Sequence, residues 1–237
     1  MRGALRIAAF APIIGLLTSG GAVRAQTGDA PPASDPGSVT IARLHYGGGG
    51  DWYANPSSLP NLLSRIARDT HLPVAPGEAV VTPLSPQLHD YPYLYMTGHG
   101  NVRFGDEELE AMRSYLLSGG FLHADDNYGM DESFRREMKR MFPDKELRPV
   151  PLDHAIYSIV HRFPDGIPKV HEHDGLPAQG LGIFHEGRLI VFYSYQSDLG
   201  DGWEDPDVHK DPPEIRELAI EMGVNLFAYA LAQEKPL

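Results

Sequence analysis

From Gly119 to Gly129 the chain reads Gly-Gly-Phe-Leu-His-Ala-Asp-Asp-Asn-Tyr-Gly, an apolar run that ends abruptly in a histidine, two aspartates and an asparagine. A helical pattern closing on Gly119 precedes it and another helical pattern follows. A short apolar strand set between helices belongs inside a parallel sheet covered on both faces. Ligands of open α/β sheets sit at the carboxyl ends of the strands, so the polar end of this run is where a site is expected.

The surrounding periodicity supports that placement. Strands are predicted at about 39–46, 79–81, 93–97 and 120–124. Helices are predicted at about 58–70, 106–118, 131–142 and 213–231, with stripes such as Leu59, Leu62, Leu63 and Ile66, or Ile215, Leu218, Ala219, Met222 and Leu226. Two further apolar runs, 180–185 and 189–195, are joined by Glu186-Gly187-Arg188 and read as a C-terminal β-hairpin at one edge of the sheet. Together these give one α/β domain over 38–235, a parallel sheet with helices on both faces.

At the start, Arg2 and Arg6, the apolar Ile7–Leu17 and the small-residue end Val23-Arg24-Ala25 read as a secretory signal peptide, residues 1–25. Residues 26–37, rich in Pro, Ala, Gly and Ser, read as a disordered leader. The expected location is periplasmic or secreted, with no membrane span once the signal is cleaved, because its apolar run is too short to cross a bilayer. The net charge of −12, more negative still without the arginines of the signal, argues against a nucleic-acid partner. With no cysteine, the domain has neither a disulfide framework nor thiol chemistry.

Several groups carry chemistry. His123, Asp125 and Asp126 lie together at a strand end, where two acids can orient a histidine or bind a divalent ion; the competing reading is that an aspartate caps the next helix while Asn127 closes a turn. His99, between Gly98 and Gly100, sits at the end of another strand, where backbone N–H groups can approach an anion or carbonyl oxygen. His171 and His173, in His-Glu-His-Asp, are half of a metal site that Asp125 or Asp126 would complete, with a solvated charged loop as the alternative. The acids between Asp198 and Asp207 crowd a glycine-rich loop without matching an EF-hand, so calcium is a weaker reading there. Trp52 and Trp203 sit in glycine-rich loops and read as stacking platforms for a sugar or peptide, with Trp203 alternatively packing down to close the acidic loop. Gly-x-Ser-x-Gly is absent, which argues against a serine hydrolase.

The segments 122–131, 171–175 (His-Glu-His-Asp-Gly) and 197–205 (Ser-Asp-Leu-Gly-Asp-Gly-Trp-Glu-Asp) resemble a bacterial family known only as a domain of unknown function, DUF4159. At the level of fold the chain resembles the class I glutamine amidotransferase-like superfamily, which implies a flavodoxin-like sheet carrying the catalytic residue on a turn after a strand. In that likeness Tyr95–Gly100 matches the strand end lining the oxyanion hole, and the elbow falls among His123, Ala124 and Asp125. The elbow cysteine itself is missing, which removes thioester chemistry.

The reading is therefore a polar His/Asp site at the strand ends of an exported α/β domain. As an enzyme it would be a metal-assisted or acid–base hydrolase, with His123, Asp125, Asp126 and His99 catalytic and Gly98, Gly100, Asn127 and Trp203 contacting the substrate. The cofactor would be a divalent metal on His171 and His173, and the ligand a small molecule, sugar or peptide. The rival is a non-catalytic binding or assembly module. Convergence of His99, His123 and an aspartate in one pocket, closed by the His171–Asp174 segment, is the geometric expectation.

Overall fold

The apolar run at Phe121 does form a strand, and it extends through Asp126 because its polar residues find buried partners. The computed structural model describes residues 37–233; the expected signal segment, residues 26–36 of the leader and the last residues of the domain lie outside them. In chain order the elements are β1 (Ala42–Leu44), α1 (Ser58–Thr70), β2 (Ala79–Val81), β3 (Tyr93–Gly98), α2 (Asp106–Leu117), β4 (Phe121–Asp126), α3 (Asp131–Met141), β5 (Arg148–Pro149), β6 (Gln179–His185), β7 (Arg188–Tyr195), α4 (Leu199–Trp203) and α5 (Pro213–Ala232). They build a mixed seven-stranded sheet in the order β2-β1-β3-β4-β7-β6-β5, flanked by helices. Strand β4 lies at its centre, parallel to β3 on one side and to β7 on the other. Among the described residues, no helix is long and apolar enough to cross a membrane.

The hairpin is not the edge. β7 pairs with β4 inside the sheet, and the two-residue β5 covers the far side of β6 through Arg148↔Gly182 and Pro149↔Leu181. Such a short strand, half of it proline, has no periodicity to read.

Pleat alternation divides β4 between two cores. Leu122 and Ala124 join Leu94, Met96, Met112 and Phe134 on the α2/α3 side. Phe121 joins Tyr93, Leu62, Ile66, Met222 and Phe227 on the α1/α5 side, and His123 and Asp125 share that side by the two-residue period. Helix α5 buries Ala219, Met222, Leu226, Phe227 and Ala230, whereas Leu218, expected on the inner stripe, is 42% exposed.

Local chemistry fixes the helix ends that matter for the site. Helix α1 has no capping bond from its own Ser57 side chain; instead Glu204, far along the chain, accepts from the N–H of Ser57 (3.0 Å) and of Ser58 (3.2 Å). An acid at a helix start satisfies orphan N–H groups and opposes the positive end of the dipole. Glu204 thus ties the segment after α4 to the loop after β1.

Candidate metal centre at the strand ends

Two of the residues expected to be catalytic, His123 and Asp125, belong to one buried chain of hydrogen bonds with Tyr93 and Ser194. Tyr93 Oη lies 2.8 Å from His123 Nδ1, His123 Nε2 lies 2.8 Å from Ser194 Oγ, and Ser194 donates to Asp125 Oδ1 at 2.5 Å. One assignment satisfies the first two contacts with neutral histidine: Tyr93 donates to Nδ1 and Nε2–H donates to Ser194. His123 has no exposed surface and is ringed by Tyr95, Phe192 and Trp203. Burial drives its pKa down to about 3, because no neighbouring acid compensates for desolvating the cation.

Asp125 is equally buried. It accepts from the N–H of Leu199 (3.2 Å) and of Gly200 (2.6 Å), so it holds the start of α4 against the sheet. Burial pushes its carboxyl up to about 7, against the hydrogen bonds from Ser194 and Gly200, with Asp198 and Asp201 adding to the rise. Asp126 points to the opposite face, where it accepts from Met130 N–H at 3.3 Å; burial raises its pKa as well. The capping reading therefore describes Asp126, at the start of α3, whereas Asp125 serves the distant α4.

His99 does not join them. Asp51, at the end of the glycine loop after β1, accepts from the His99 backbone N–H and lies 3.0 Å from its Nδ1. Partial burial pushes the Asp51 carboxyl up, but these hydrogen bonds win and hold it below its ordinary value. The His99 side chain is exposed. Gly98 has φ +140°, and a Cβ there would collide with Tyr46 Oη. That glycine serves the packing of Tyr46, which donates to Thr97 O at 3.1 Å, and Gly100 takes a left-handed turn at φ +86°.

The histidines of 171–174 gather a different set of acids from the one expected. His171 Nδ1 lies 2.9 Å from Asp201 Oδ2 and 3.5 Å from Asp198 Oδ2, while its Nε2 lies 3.0 Å from Asp211 Oδ1. His173 Nε2 contacts Asp198 Oδ2, and His209 Nε2 is 3.8 Å from Asp201 Oδ1. One donor atom each from His171, Asp201 and His209 fall within 4.8 Å of one another. Asp125 and Asp126 are not the carboxylates of this cluster, since one holds α4 and the other faces away. Asn127 does take part: it accepts from Thr97 Oγ1 at 3.1 Å and donates to Asp201 Oδ1 at 3.2 Å, and Asn55 donates to the same oxygen at 2.7 Å.

Two features set this cluster apart from the other ion pairs described. Asp198 is fully buried and Asp211 is 9% exposed, yet Asp198 Oδ1 and Asp211 Oδ2 have no hydrogen-bond partner among the described residues. Bare buried carboxylate oxygens cost several kcal/mol unless a cation or donor meets them. The backbone is also strained here. Asn55, Tyr128, Gln196, Asp198 and Lys210 all have φ between 58° and 70°, and each is in the cluster or within two residues of a member in sequence. Left-handed non-glycine residues cost free energy that the surroundings must hold, and they concentrate at functional sites.

Charge follows the same logic. Hydrogen bonds to Asp198 and Asp201 raise the His171 pKa to about 10, outweighing burial. Burial pushes Asp201 up, but His171, His209 and Asn55 hold it below its ordinary value. An imidazolium at His171 would satisfy both of its nitrogens and still leave the two bare oxygens. A neutral ring donating Nε2–H to Asp211 instead turns the Nδ1 lone pair toward Asp201 and Asp198, an arrangement that is attractive only with a cation between them.

Sequence reading missed His209, Asp211, Asn55 and Asp51. The alternation Asp207-Val-His209-Lys-Asp211 was the available signal for the first two. Trp203, expected at the surface, is fully buried and donates Nε1–H to Ala219 O at 2.8 Å. In the acidic loop, Glu204 caps α1 and Asp205 accepts from Asn61 at 2.9 Å, so those two acids are engaged in protein contacts.

The sequence profile of a domain of unknown function, DUF4159, matches residues 40–231, from β1 to the last turn of α5. The chain belongs to this family. No curated protein matches it. The match takes in the whole DUF4159 sheet and every member of the histidine–aspartate cluster, so the cluster is part of the domain itself.

Proposed function

We propose that this DUF4159 domain is an exported, divalent-metal-dependent hydrolase. Its ion would be held by His171, His209 and Asp201, with Asp198 as a fourth donor. The observation that carries the reading is the bare, buried Oδ1 of Asp198, a carboxylate that sits beside Nδ1 of His171 next to the His171, Asp201 and His209 donors. Imidazole and carboxylate donors in this number suit zinc or a similar first-row ion. Asp211 supports the ligand His171 from behind, as carboxylates commonly do for metal-bound histidine. With Asp198 as the fourth donor, a water could join only by expansion to five-coordination, and such a bound water would ionise near neutral pH.

The amidotransferase-like likeness supports the placement. The parallel strands β2-β1-β3-β4-β7 follow the flavodoxin-like order, and the cluster lies past the carboxyl ends of β4 and β7. Export rests on the signal-like residues 1–25.

Metal analysis of untagged protein after dialysis against zinc tests the reading. The expected result is one tightly held ion per chain, lost in His171→Ala and Asp201→Asn while the melting transition stays cooperative, and chelator-sensitive hydrolysis of a nitrophenyl ester. No stoichiometric zinc, manganese or iron would refute the centre. Metal without any chelator-sensitive hydrolysis would favour the binding module, which the enclosure of His123 and Asp125 already supports.

A further inference from the structure

Strand β1 carries a charge where its neighbours are apolar. Arg43 stands between Ala42 and Leu44 and is only 3% exposed. Long cations are almost never buried this far unless they are paired. Among the described residues the acid partner of Arg43 is Glu78, 3.4 Å from Nε, and the remaining guanidinium donors go to backbone. They reach Trp52 O at 3.5 Å, Ala54 O at 2.7 Å and Asn55 O at 3.2 Å. Those carbonyls belong to the loop after β1, and the loop needs holding, because Asn55 sits in left-handed backbone at φ 59°.

The side chain of Asn55 donates from Nδ2 to Asp201 Oδ1 at 2.7 Å. The guanidinium of Arg43 also lies 5.7 Å from the centre of the Tyr95 ring, its cross-strand neighbour on β3. Tyr95 and Asn55 then meet on one residue of α4, Gly200, which immediately precedes Asp201. A Cβ there would strike Tyr95 Oη and would come within 2.9 Å of Asn55 Nδ2 and 3.0 Å of Asp125 Oδ2. Arg43 therefore stands behind two of the groups that press on α4 just before Asp201. Packed apolar side chains can often replace a buried ion pair without loss of stability. They cannot gather three carbonyls and keep Asn55 left-handed with its amide on Asp201. Groups hydrogen-bonded to a metal ligand set its orientation, and a carboxylate released from them holds its ion less tightly.

We infer that Arg43 is a positioning residue for the metal centre, acting through Asn55 to fix the Asp201 carboxylate. This rests on the metal-dependent reading above, and zinc binding by the wild type separates the two. The test is a double-mutant cycle on the full chain, with zinc affinity measured by competition against a chromophoric chelator. Asn55→Ala should weaken zinc about 10- to 100-fold. Arg43→Lys, which keeps the charge but cannot span three carbonyls, should weaken it roughly 10-fold. The two substitutions together should bind no more weakly than Asn55→Ala alone, because both act on one contact. With cobalt in place of zinc, both single variants should shift the visible bands in the same way. A merely structural arginine would instead lower the urea midpoint and leave the zinc affinity and cobalt spectrum of the folded protein unchanged. That result, or additive losses in the cycle, would overturn the inference. Should Arg43→Lys fail to melt cooperatively, Arg43→Met takes its place, and failure of both would make Arg43 a folding residue and overturn it as well. No zinc binding by the wild type would remove the metal reading, and this inference with it.

Discussion

The relay through His123 makes a quantitative prediction about acid stability. In the unfolded chain His123 takes up a proton near pH 6.5, its ordinary value, whereas in the folded protein burial delays protonation to about pH 3. Between those values the unfolded state binds the extra proton. The contribution of this site to stability is therefore complete above pH 6.5 and is lost as pH falls, at about 1.4 kcal/mol per pH unit. From pH 6.5 to 4.5 that amounts to roughly 2.5 kcal/mol, a large part of a domain's stability. His123→Gln is the informative perturbation, because a glutamine oxygen can accept from Tyr93 and its amide can donate to Ser194, yet it cannot be protonated. Urea denaturation of both proteins at half-unit steps would show wild-type stability falling more steeply by about one proton's slope. Losses from carboxylates common to both cancel in the difference. Parallel curves would refute the reasoning. So would loss of zinc binding at pH 7 in a folded His123→Gln, since that would place the residue in the site and not beneath it.

Asp211→Asn should weaken zinc about 10- to 100-fold without abolishing it, as expected for a carboxylate acting through His171; competition against a chelator of known affinity would measure it, and unchanged affinity would exclude the supporting role. Trp203→Ala should destabilise the domain by about 3–5 kcal/mol because the indole is fully enclosed. A loss of less than about 1 kcal/mol in denaturant titrations would mean that the ring is dispensable to the core.

Much of the sheet could be read from the sequence because its signals are local. The stripe of Leu59, Leu62, Leu63 and Ile66 or of Phe134, Met138 and Met141 needs no distant residue to announce a helix. Helix α4 was hidden for the opposite reason. Leu-Gly-Asp-Gly-Trp carries two glycines and looks like a loop, and it becomes helical where Asp125, some seventy residues earlier, takes its first N–H groups. Its glycines also explain Trp203: a Cβ at Gly200 would strike Tyr95, and one at Gly202 would strike Ala219, so only glycine lets the segment seat the indole this deeply. The site was half legible. His171 and His173 were visible as a pair and Asp198 and Asp201 as acids, but their meeting depends on how a long irregular stretch folds back, which no periodicity encodes.

The clamp of Asp125 on α4 bears on the order in which the molecule assembles. Asp198 and Asp201 stand at the start of a five-residue helix that has little reason to form until β4 and β7 are paired and Asp125 is in place. His171 and His209 arrive from either side of it in sequence. Contacts of such separation form late, since loop closure must precede any gain from them. A cation therefore has no nucleus to organise in the unfolded chain, unlike in small domains that exist only around their zinc. On the metal-dependent reading the scaffold would form first and the ion would dock onto a finished platform, so the empty chain would already reach its native shape.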